Sequence, residues 1–330
     1  MKQQKLLLVL LCIWSGFFLI TVSATTSYQN GPEQLSNDFY FVHLTDTHIM
    51  HKIFDRQELS KTRFSTVLNT ILSFEKTPAF IVITGDLVEW GGNGWLGALN
   101  YKTMLDCLYK NDDQLFADAA YTIPVYTTPG NHDYCFNRDI KNYHTYIDAH
   151  HIDQNDHYVI TTNNVSLFFM DSGPNYYANL SILFDWHGQG LTDDDIAWLD
   201  SKLDTCSSAH KIVLMHHPAV GTFDDVFINN RAEFIDLCET YDVELVLTGH
   251  THHSKIYDQT SHEYPDATMN CSKYPPLYVQ TDDCKQDISY RNISIIGNDV
   301  WLEQCVAIKN TNNSLLPLQD NLQKHIKKVD

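Results

Sequence analysis

The chain has 330 residues, 43% of them hydrophobic and 12% aromatic, enough to bury a large core in one domain or in one domain with an appendage. That composition excludes a disordered or low-complexity chain. A formal charge of −19 gives a surface that repels polyanions, so general nucleic-acid binding is not expected.

The first predicted element is not part of the fold. Lys2 and Lys5 precede an uncharged stretch from Leu6 to Val22, and Val22-Ser23-Ala24 offers small residues suited to signal peptidase. Residues 1–24 are expected to be a secretory signal peptide. The competing reading is an uncleaved anchor helix, because the apolar run approaches membrane-spanning length. Cleavage would leave no stable transmembrane anchor and would deliver the protein to the extracellular space, the secretory-pathway lumen, a lysosome or, in a bacterium, the periplasm. Sequons at Asn164, Asn179, Asn270, Asn292 and Asn312 fit export from a eukaryotic cell, where several would carry glycans. With Cys12 in the signal, seven cysteines remain, and an oxidising compartment predicts some disulfides with one thiol left over. Cys271 and Cys284 bracket a Pro-rich loop and are the first candidate pair. The chain lacks Cys-x-x-Cys spacing, which argues against a thiolate zinc site.

Residues 25–38 read as a lead-in to a domain spanning 39–309. Within it, Tyr40 to Leu44 is strand-like and ends at Asp46-Thr47-His48. Leu59, Phe64, Val67, Leu68, Ile71 and Leu72 then recur at helical spacing. A buried strand from Phe80 to Thr84 stops at Gly85-Asp86. Trp90 to Trp95 is a glycine-rich loop before a further helix. The strand Ile123 to Thr127 precedes Gly130-Asn131-His132-Asp133, and residues 133–157, rich in Tyr and His, form a second excursion. Asp195 to Leu203 is a helix with Thr192 as its cap. Lys211 to Leu214 is a strand followed by Met215-His216-His217-Pro218. Phe234 to Tyr241 is a helix. Glu244 to Leu247 is a strand followed by Gly249-His250-Thr251-His252. Short strands at Leu277 to Gln280, Ile288 to Ile296 and Val300 to Ile308 come next, and residues 310–330 form a polar tail with a short helix. Repeated strand–helix–strand order indicates an α/β domain. In such folds the residues just past the C-terminal ends of strands line the binding crevice, and all five motifs lie there.

Asp, His and one Asn are suitable ligands for zinc, manganese or iron. Asp46 and His48 are spaced to reach one ion, and His250 and His252 repeat that spacing. Asp86 can use both carboxylate oxygens to bridge two ions, while Asn131 and His216 complete a set of seven. That set suffices for two divalent ions that keep positions open for water and substrate. Paired ions lower the pKa of a shared water, so that hydroxide is present near neutral pH, and they spread charge on a phosphoryl group. His132 is the candidate proton donor to the leaving alkoxide.

Together these motifs resemble the calcineurin-like metallophosphoesterases, in family order over about residues 39 to 255. The resemblance implies two mixed β-sheets packed as a sandwich flanked by helices. It further implies that Asp46, His48, Asp86 and His252 hold one metal, that Asp86, Asn131, His216 and His250 hold the other, and that His132 sits on the leaving-group side. Purple acid phosphatases carry an iron-binding tyrosine three residues after the bridging aspartate. Here that position is Glu89, so a tyrosinate–iron colour is not expected. The forms Met-His-His-Pro, Gly-Asn-His-Asp and Gly-His-Thr-His look closer to the cyclic-nucleotide and glycerophosphodiester phosphodiesterases. The expected substrate is a small-molecule or lipid-headgroup phosphate ester.

Other residues have plainer readings. His217 divides evenly between substrate contact and local packing. Asp133 is read either as a partner that orients a neighbouring histidine or as the start of a turn. Glu89 could hydrogen-bond near the site but is read first as a solvated loop residue, Asp171 as a structural strand end, and His51, His144, His150, His151 and His157 as surface or loop histidines. Tyr176 and Tyr177 are candidates to line the cleft. Two rivals stand against a phosphoesterase: a non-catalytic binding module on the same fold, and a metal-dependent hydrolase of a non-phosphorus bond.

Overall fold

Side-chain alternation along β1 (Phe39–Leu44) sets the architecture. Phe39 and Phe41 enter one apolar cluster, and Val42 and Leu44 enter another on the opposite face. The computed structural model describes residues 38–108, 123–135, 140–147, 157–173, 190–222, 226–285 and 288–306. The signal-like segment, lead-in residues 25–37, the tail at 310–330, the sequons at Asn179 and Asn312, and His150, His151, Tyr176 and Tyr177 lie outside them. Every described residue belongs to one unit.

β1 pairs in parallel with β2 (Ile81–Thr84), which pairs in parallel with β3 (Val125–Thr128). On its other edge β1 meets β12 (Ser289–Ile296) antiparallel, with Phe41 opposite Ile293. β13 (Asp299–Val306) and β10 (Met269–Asn270) complete a six-stranded mixed sheet. The second sheet has seven strands. Its parallel centre is β5 (Val165–Phe169), β6 (His210–Leu214), β7 (Leu245–Thr248) and β11 (Leu277–Gln280). β4 (Tyr158–Thr162), β8 (Lys255–Asp258) and β9 (Glu263–Tyr264) add antiparallel edges.

The two sheets pack face to face. Phe41, Phe80 and Val82 of the first meet Leu167, Leu214, Leu247 and Val279 of the second in one buried cluster. Phe41 and Phe80 stack with ring centroids 4.8 Å apart, and burial of each such side chain stabilises the fold by roughly 1.5–3 kcal/mol. The outer face of the first sheet is covered by α1 (Leu59–Leu72) and α2 (Trp95–Leu108), with Phe64, Leu68 and Met104 against Val42, Leu44 and Ile83. α3 (Asn131–Tyr134) and α4 (Lys141–Tyr146) lie on the same side. The outer face of the second sheet packs Val213 and Val246 against Leu199 and Leu203 of α5 (Asp193–Asp204) and Phe234 of α6 (Arg231–Thr240). This is the helix-flanked sandwich expected from the resemblance.

Differences from the sequence reading are local. α5 begins two residues early, because Thr192 Oγ1 accepts from Asp195 N at 3.1 Å and the Asp195 carboxylate accepts from Thr192 N at 2.6 Å. The apolar period marks only the packed face and misses that first turn. β8, β9 and β10 also escape notice: two of them are only two residues long, too short for any period to register. The predicted Cys271–Cys284 bridge is not formed. Among the described residues the seven cysteines are free thiols. Cys271 lies in the cluster between the sheets and Cys284 in the cluster beneath the helices, so bracketing a loop in sequence does not bring them together. Two sequons are also corrected. Asn270 and Asn292 are buried, where a glycan cannot fit, whereas Asn164 is exposed. Among the described residues no helix is long and apolar enough to cross a membrane.

Candidate metal centre

The five motifs follow β1, β2, β3, β6 and β7 directly, so parallel pairing brings them to one edge of the sandwich. Turning the chain sharply at each strand end demands unusual backbone. Asp46, His48, Asp86, His250 and His252 all have positive φ, between 44° and 69°. Asp and His tolerate this region better than most residues. Gly85, with φ of 82°, is required for a second reason: a Cβ on it would lie 2.5 Å from His216 Nδ1.

Asp46, His48 and His252 form the first cluster. His252 Nε2 is 3.2 Å from Asp46 Oδ1 and 3.2 Å from His48 Nε2, and His48 Nε2 is 3.5 Å from Asp46 Oδ1. Donor atoms bound about 2.0–2.1 Å from a tetrahedral ion would stand about 3.4 Å apart. These separations fit one ion. Asp46 Oδ1 is buried without a hydrogen-bond partner, whereas Asp46 Oδ2 accepts from His250 N at 2.9 Å. A buried, unpaired carboxylate oxygen facing two imidazole nitrogens is what a cation would satisfy.

The second cluster joins Asp86, Asn131, His216 and His250. His216 Nε2 lies 3.3 Å from Asp86 Oδ2 and 3.1 Å from Asn131 Oδ1, and His250 Nδ1 lies 3.1 Å from the same Asn131 oxygen. Asp86 Oδ2 also stands 3.6 Å from His48 Nε2, which puts one oxygen between the clusters. The sequence reading allowed both Asp86 oxygens to bridge. Asp86 Oδ1 accepts from His132 N at 2.8 Å, leaving Oδ2 to face both groups.

Outer partners fix the rings. His216 Nδ1 donates to Thr84 O at 2.8 Å. His48 Nδ1 lies 2.9 Å from Glu89 Oε2, and His252 Nδ1 lies 2.9 Å from Asp283 Oδ2. In all three, Nε2 is turned to the clusters and Nδ1 stands against an oxygen. The contact is a hydrogen bond at His216 and ion-pair proximity at His252 and at His48, whose Nδ1 makes no aligned hydrogen bond. Such placement favours the ligating tautomer. His132 Nδ1 donates to Glu89 O at 2.8 Å, and its Nε2 is 3.9 Å from Asp86 Oδ2.

The electrostatics follow from buried carboxylates and imidazoles packed against one another. Burial alone would raise the Asp46 and Asp86 carboxyls, but the surrounding histidines, His216 foremost, hold both well below the usual range. Burial opposes charge on His216, yet Asp86 and Asp46 push it up to about 9. His252 is likewise disfavoured by burial and pushed up to about 10 by Asp283 and Asp46. Such a site attracts positive charge, and a divalent cation would displace these protons on binding.

The other candidates fall out as follows. His217 is buried, with Ser172 Oγ 2.9 Å from its Nδ1 and its ring 4.5 Å from that of His250. Burial holds it neutral, well below the ordinary histidine range. Asp133 orients no histidine side chain. Its Oδ2 accepts from Gly130 N at 2.8 Å and Leu87 N at 3.2 Å, and its Oδ1 accepts from Tyr101 Oη at 2.8 Å, so it clamps the two ligand loops together. Asp171 is structural, accepting from Gly173 N at 2.8 Å and from the Tyr134 hydroxyl. His157 is not a free surface residue, because its Nε2 meets Asp195 Oδ1 at 2.7 Å. Glu89 is not a solvated loop residue either, since it pairs with both His48 and Lys285. Sequence reasoning missed Asp283 altogether. The one available signal was an acidic pair, Asp282-Asp283, just past a strand end.

A family model for calcineurin-like phosphoesterases matches residues 39–254. The chain belongs to that family. Among the relatives of this calcineurin-like phosphoesterase is a protein of Arcobacter nitrofigilis named "Probable glycerophosphodiester phosphodiesterase GpdQ", 26% identical over 222 residues that cover 64% of this chain and 71% of the relative. A Coxiella burnetii protein named "Probable cyclic nucleotide phosphodiesterase" is 24% identical over 229 residues, covering 67% of this chain and 80% of the relative. In fold the chain resembles GAP50, titled the anchor in the inner membrane complex of Plasmodium, with a TM-score of 0.52 at 14% identity, covering 88% of this chain and 94% of that one. This last likeness concerns the fold alone. Family membership makes the chain a metal-dependent phosphoric ester hydrolase, and its curated relatives favour phosphodiesters.

Proposed function

We propose that the chain hydrolyses a phosphodiester of small-molecule or lipid-headgroup type at a centre of two divalent ions. The observation that supports this best is Asp86 Oδ2, which faces His48 Nε2 at 3.6 Å and His216 Nε2 at 3.3 Å. Asp46, His48, His252 and Asp86 would hold one ion; Asp86, Asn131, His216 and His250 would hold the other. Zinc, manganese and iron all suit this donor set. When bound, such ions activate water and neutralise charge on the phosphoryl oxygens.

The chain's own residues supply orientation and a proton. His132 Nδ1–H is committed to Glu89 O, so Nε2 is the nitrogen that can carry a proton to the leaving oxygen. The ring is 23% exposed, within reach of a substrate. Glycerophosphodiesters and cyclic nucleotides, named for the relatives, are the first compounds to try. Hydrolysis of bis-p-nitrophenyl phosphate with added manganese or zinc, compared with p-nitrophenyl phosphate, tests the reading. Turnover of neither by protein that has taken up metal would leave a non-catalytic binding module. Activity indifferent to phosphate and vanadate would favour a non-phosphorus bond.

The secretory location we propose rests on the N-terminal segment and on exposed Asn164. N-terminal sequencing of the protein recovered from its native source would show a start at residue 25.

A further inference from the structure

β11 runs parallel to β7, so the chain leaves β11 at the same edge as the Gly249–His252 motif. Residues 281–285 lie past the family match, which ends at 254, yet they are stitched to the first cluster. Thr281 N donates to Thr248 O at 2.9 Å, and Cys284 N donates to Thr45 O at 3.2 Å, next to Asp46. Thr281 Oγ1 lies 2.9 Å from His43 Nδ1. Arg63 donates to Lys285 O from α1.

One side chain of this segment reaches a ring nitrogen behind the first cluster, and a second reaches the carboxylate beside another. Asp283, buried, meets His252 Nδ1 at 2.9 Å. Lys285 Nζ meets Glu89 Oε2 at 2.9 Å, and that same oxygen lies 2.9 Å from His48 Nδ1. We propose that residues 281–285 are a brace that positions both histidines of the first ion site, directly through Asp283 and through the Lys285–Glu89 pair for His48. None of these contacts touches His216 or Asn131, so the brace acts on one ion only. The inference rests on the two-ion reading of the site.

The physical reason is ring orientation. An imidazole held at Nδ1 by a carboxylate keeps its Nε2 lone pair aimed, and losing that partner costs about 10–100-fold in metal affinity. Lys285 fixes the Glu89 carboxylate, which would otherwise turn to solvent. These are positioning residues; none needs to touch a substrate.

The test is a cobalt(II) titration of the full-length protein, followed by the visible absorption of each ion and by calorimetry. Wild type should take up two equivalents. Asp283→Asn and Glu89→Gln should weaken the first site by about 10–100-fold and leave the second unchanged. Lys285→Met, at a side chain 30% exposed and so safe for the fold, should weaken the first site by less, and Lys285→Arg should restore it. If wild type takes up two ions and all three weakening variants bind both as tightly, the brace is overturned while the two-ion reading stands. If wild type takes up only one, the two-ion reading itself fails and the brace with it. Equal weakening of both sites would also overturn the brace, since it would show general loosening.

Discussion

The backbone N–H of His250 donates to Asp46 Oδ2 at 2.9 Å, tying the end of β7 to the end of β1 across the two sheets. The bond consumes one carboxylate oxygen and leaves the other for a cation. It forms only because Gly249 lets the two loops touch. A Cβ at that position would lie 1.8 Å from Thr45 Oγ1 and 2.4 Å from Asp46 Oδ2. Gly249→Ala should therefore destabilise the fold by about 1–3 kcal/mol and lower metal uptake. Thermal melting with elemental analysis of the same sample would show both. A variant that melts like wild type and retains its metal would show that the loops have room to part.

Asp86 stands between the clusters. Asp86→Asn keeps the volume, but its one amide oxygen is taken by His132 N, so an NH2 group, which cannot ligate a cation, replaces the anionic Oδ2 that faces the clusters. Both ions should be weakened together, and metal content at limiting supply should fall for both. Retention of either ion at full strength would show that the aspartate serves one site alone.

A ring nitrogen of His132 lies within 4.8 Å of ligand atoms of His48 and Asp86, but its Nε2, at 3.9 Å from Asp86 Oδ2, stands farther out than the proposed ligands. His132→Ala should leave metal content nearly intact while lowering turnover of a diester by about 10²–10⁴-fold. The loss should shrink for substrates whose leaving group needs no proton, such as p-nitrophenolate. Equal losses on activated and unactivated esters would exclude proton donation by this ring.

Away from the site, His210 Nδ1 meets Glu244 Oε2 at 2.7 Å in a buried pair. The glutamate partner raises the His210 pKa above its ordinary value. A raised folded-state value means that this stabilisation is fully present below the unfolded value of about 6.5 and is lost as pH rises through the folded value. His210→Gln should thus lower stability most below the unfolded value of about 6.5 and progressively less as pH rises through the folded value above it. Urea unfolding of both proteins across that range reads the difference. A gap that widens with pH would reverse the assignment.

The seven proposed ligands were legible in the sequence because each follows an apolar strand, and parallel strands in a sandwich must end together. The runs marked an α/β domain, and the two-sheet sandwich came from the resemblance to the calcineurin-like metallophosphoesterases. What escaped was the layer behind the ligands. Glu89 looked like an ordinary loop carboxylate because its partners, His48 and Lys285, come from different loops. Asp133 suggested a histidine partner by adjacency, yet its bonds run to Tyr101 on α2 and to two backbone amides. Such pairings depend on how helices and loops settle on the sheets, which periodicity does not encode. The Cys271–Cys284 expectation failed for the same reason: nearness along the chain carried no information about which face of a sheet each thiol would occupy.

Asp46, His48, Asp86, His250 and His252 hold left-handed main chain. For residues other than glycine that conformation costs on the order of 1 kcal/mol each. Truncating His48 or His250 to alanine removes the ring but keeps the constraint, whereas glycine removes both. The usual ranking, in which alanine is the gentler replacement, should therefore invert at these positions, with His48→Gly melting above His48→Ala even though both have lost their hold on a cation.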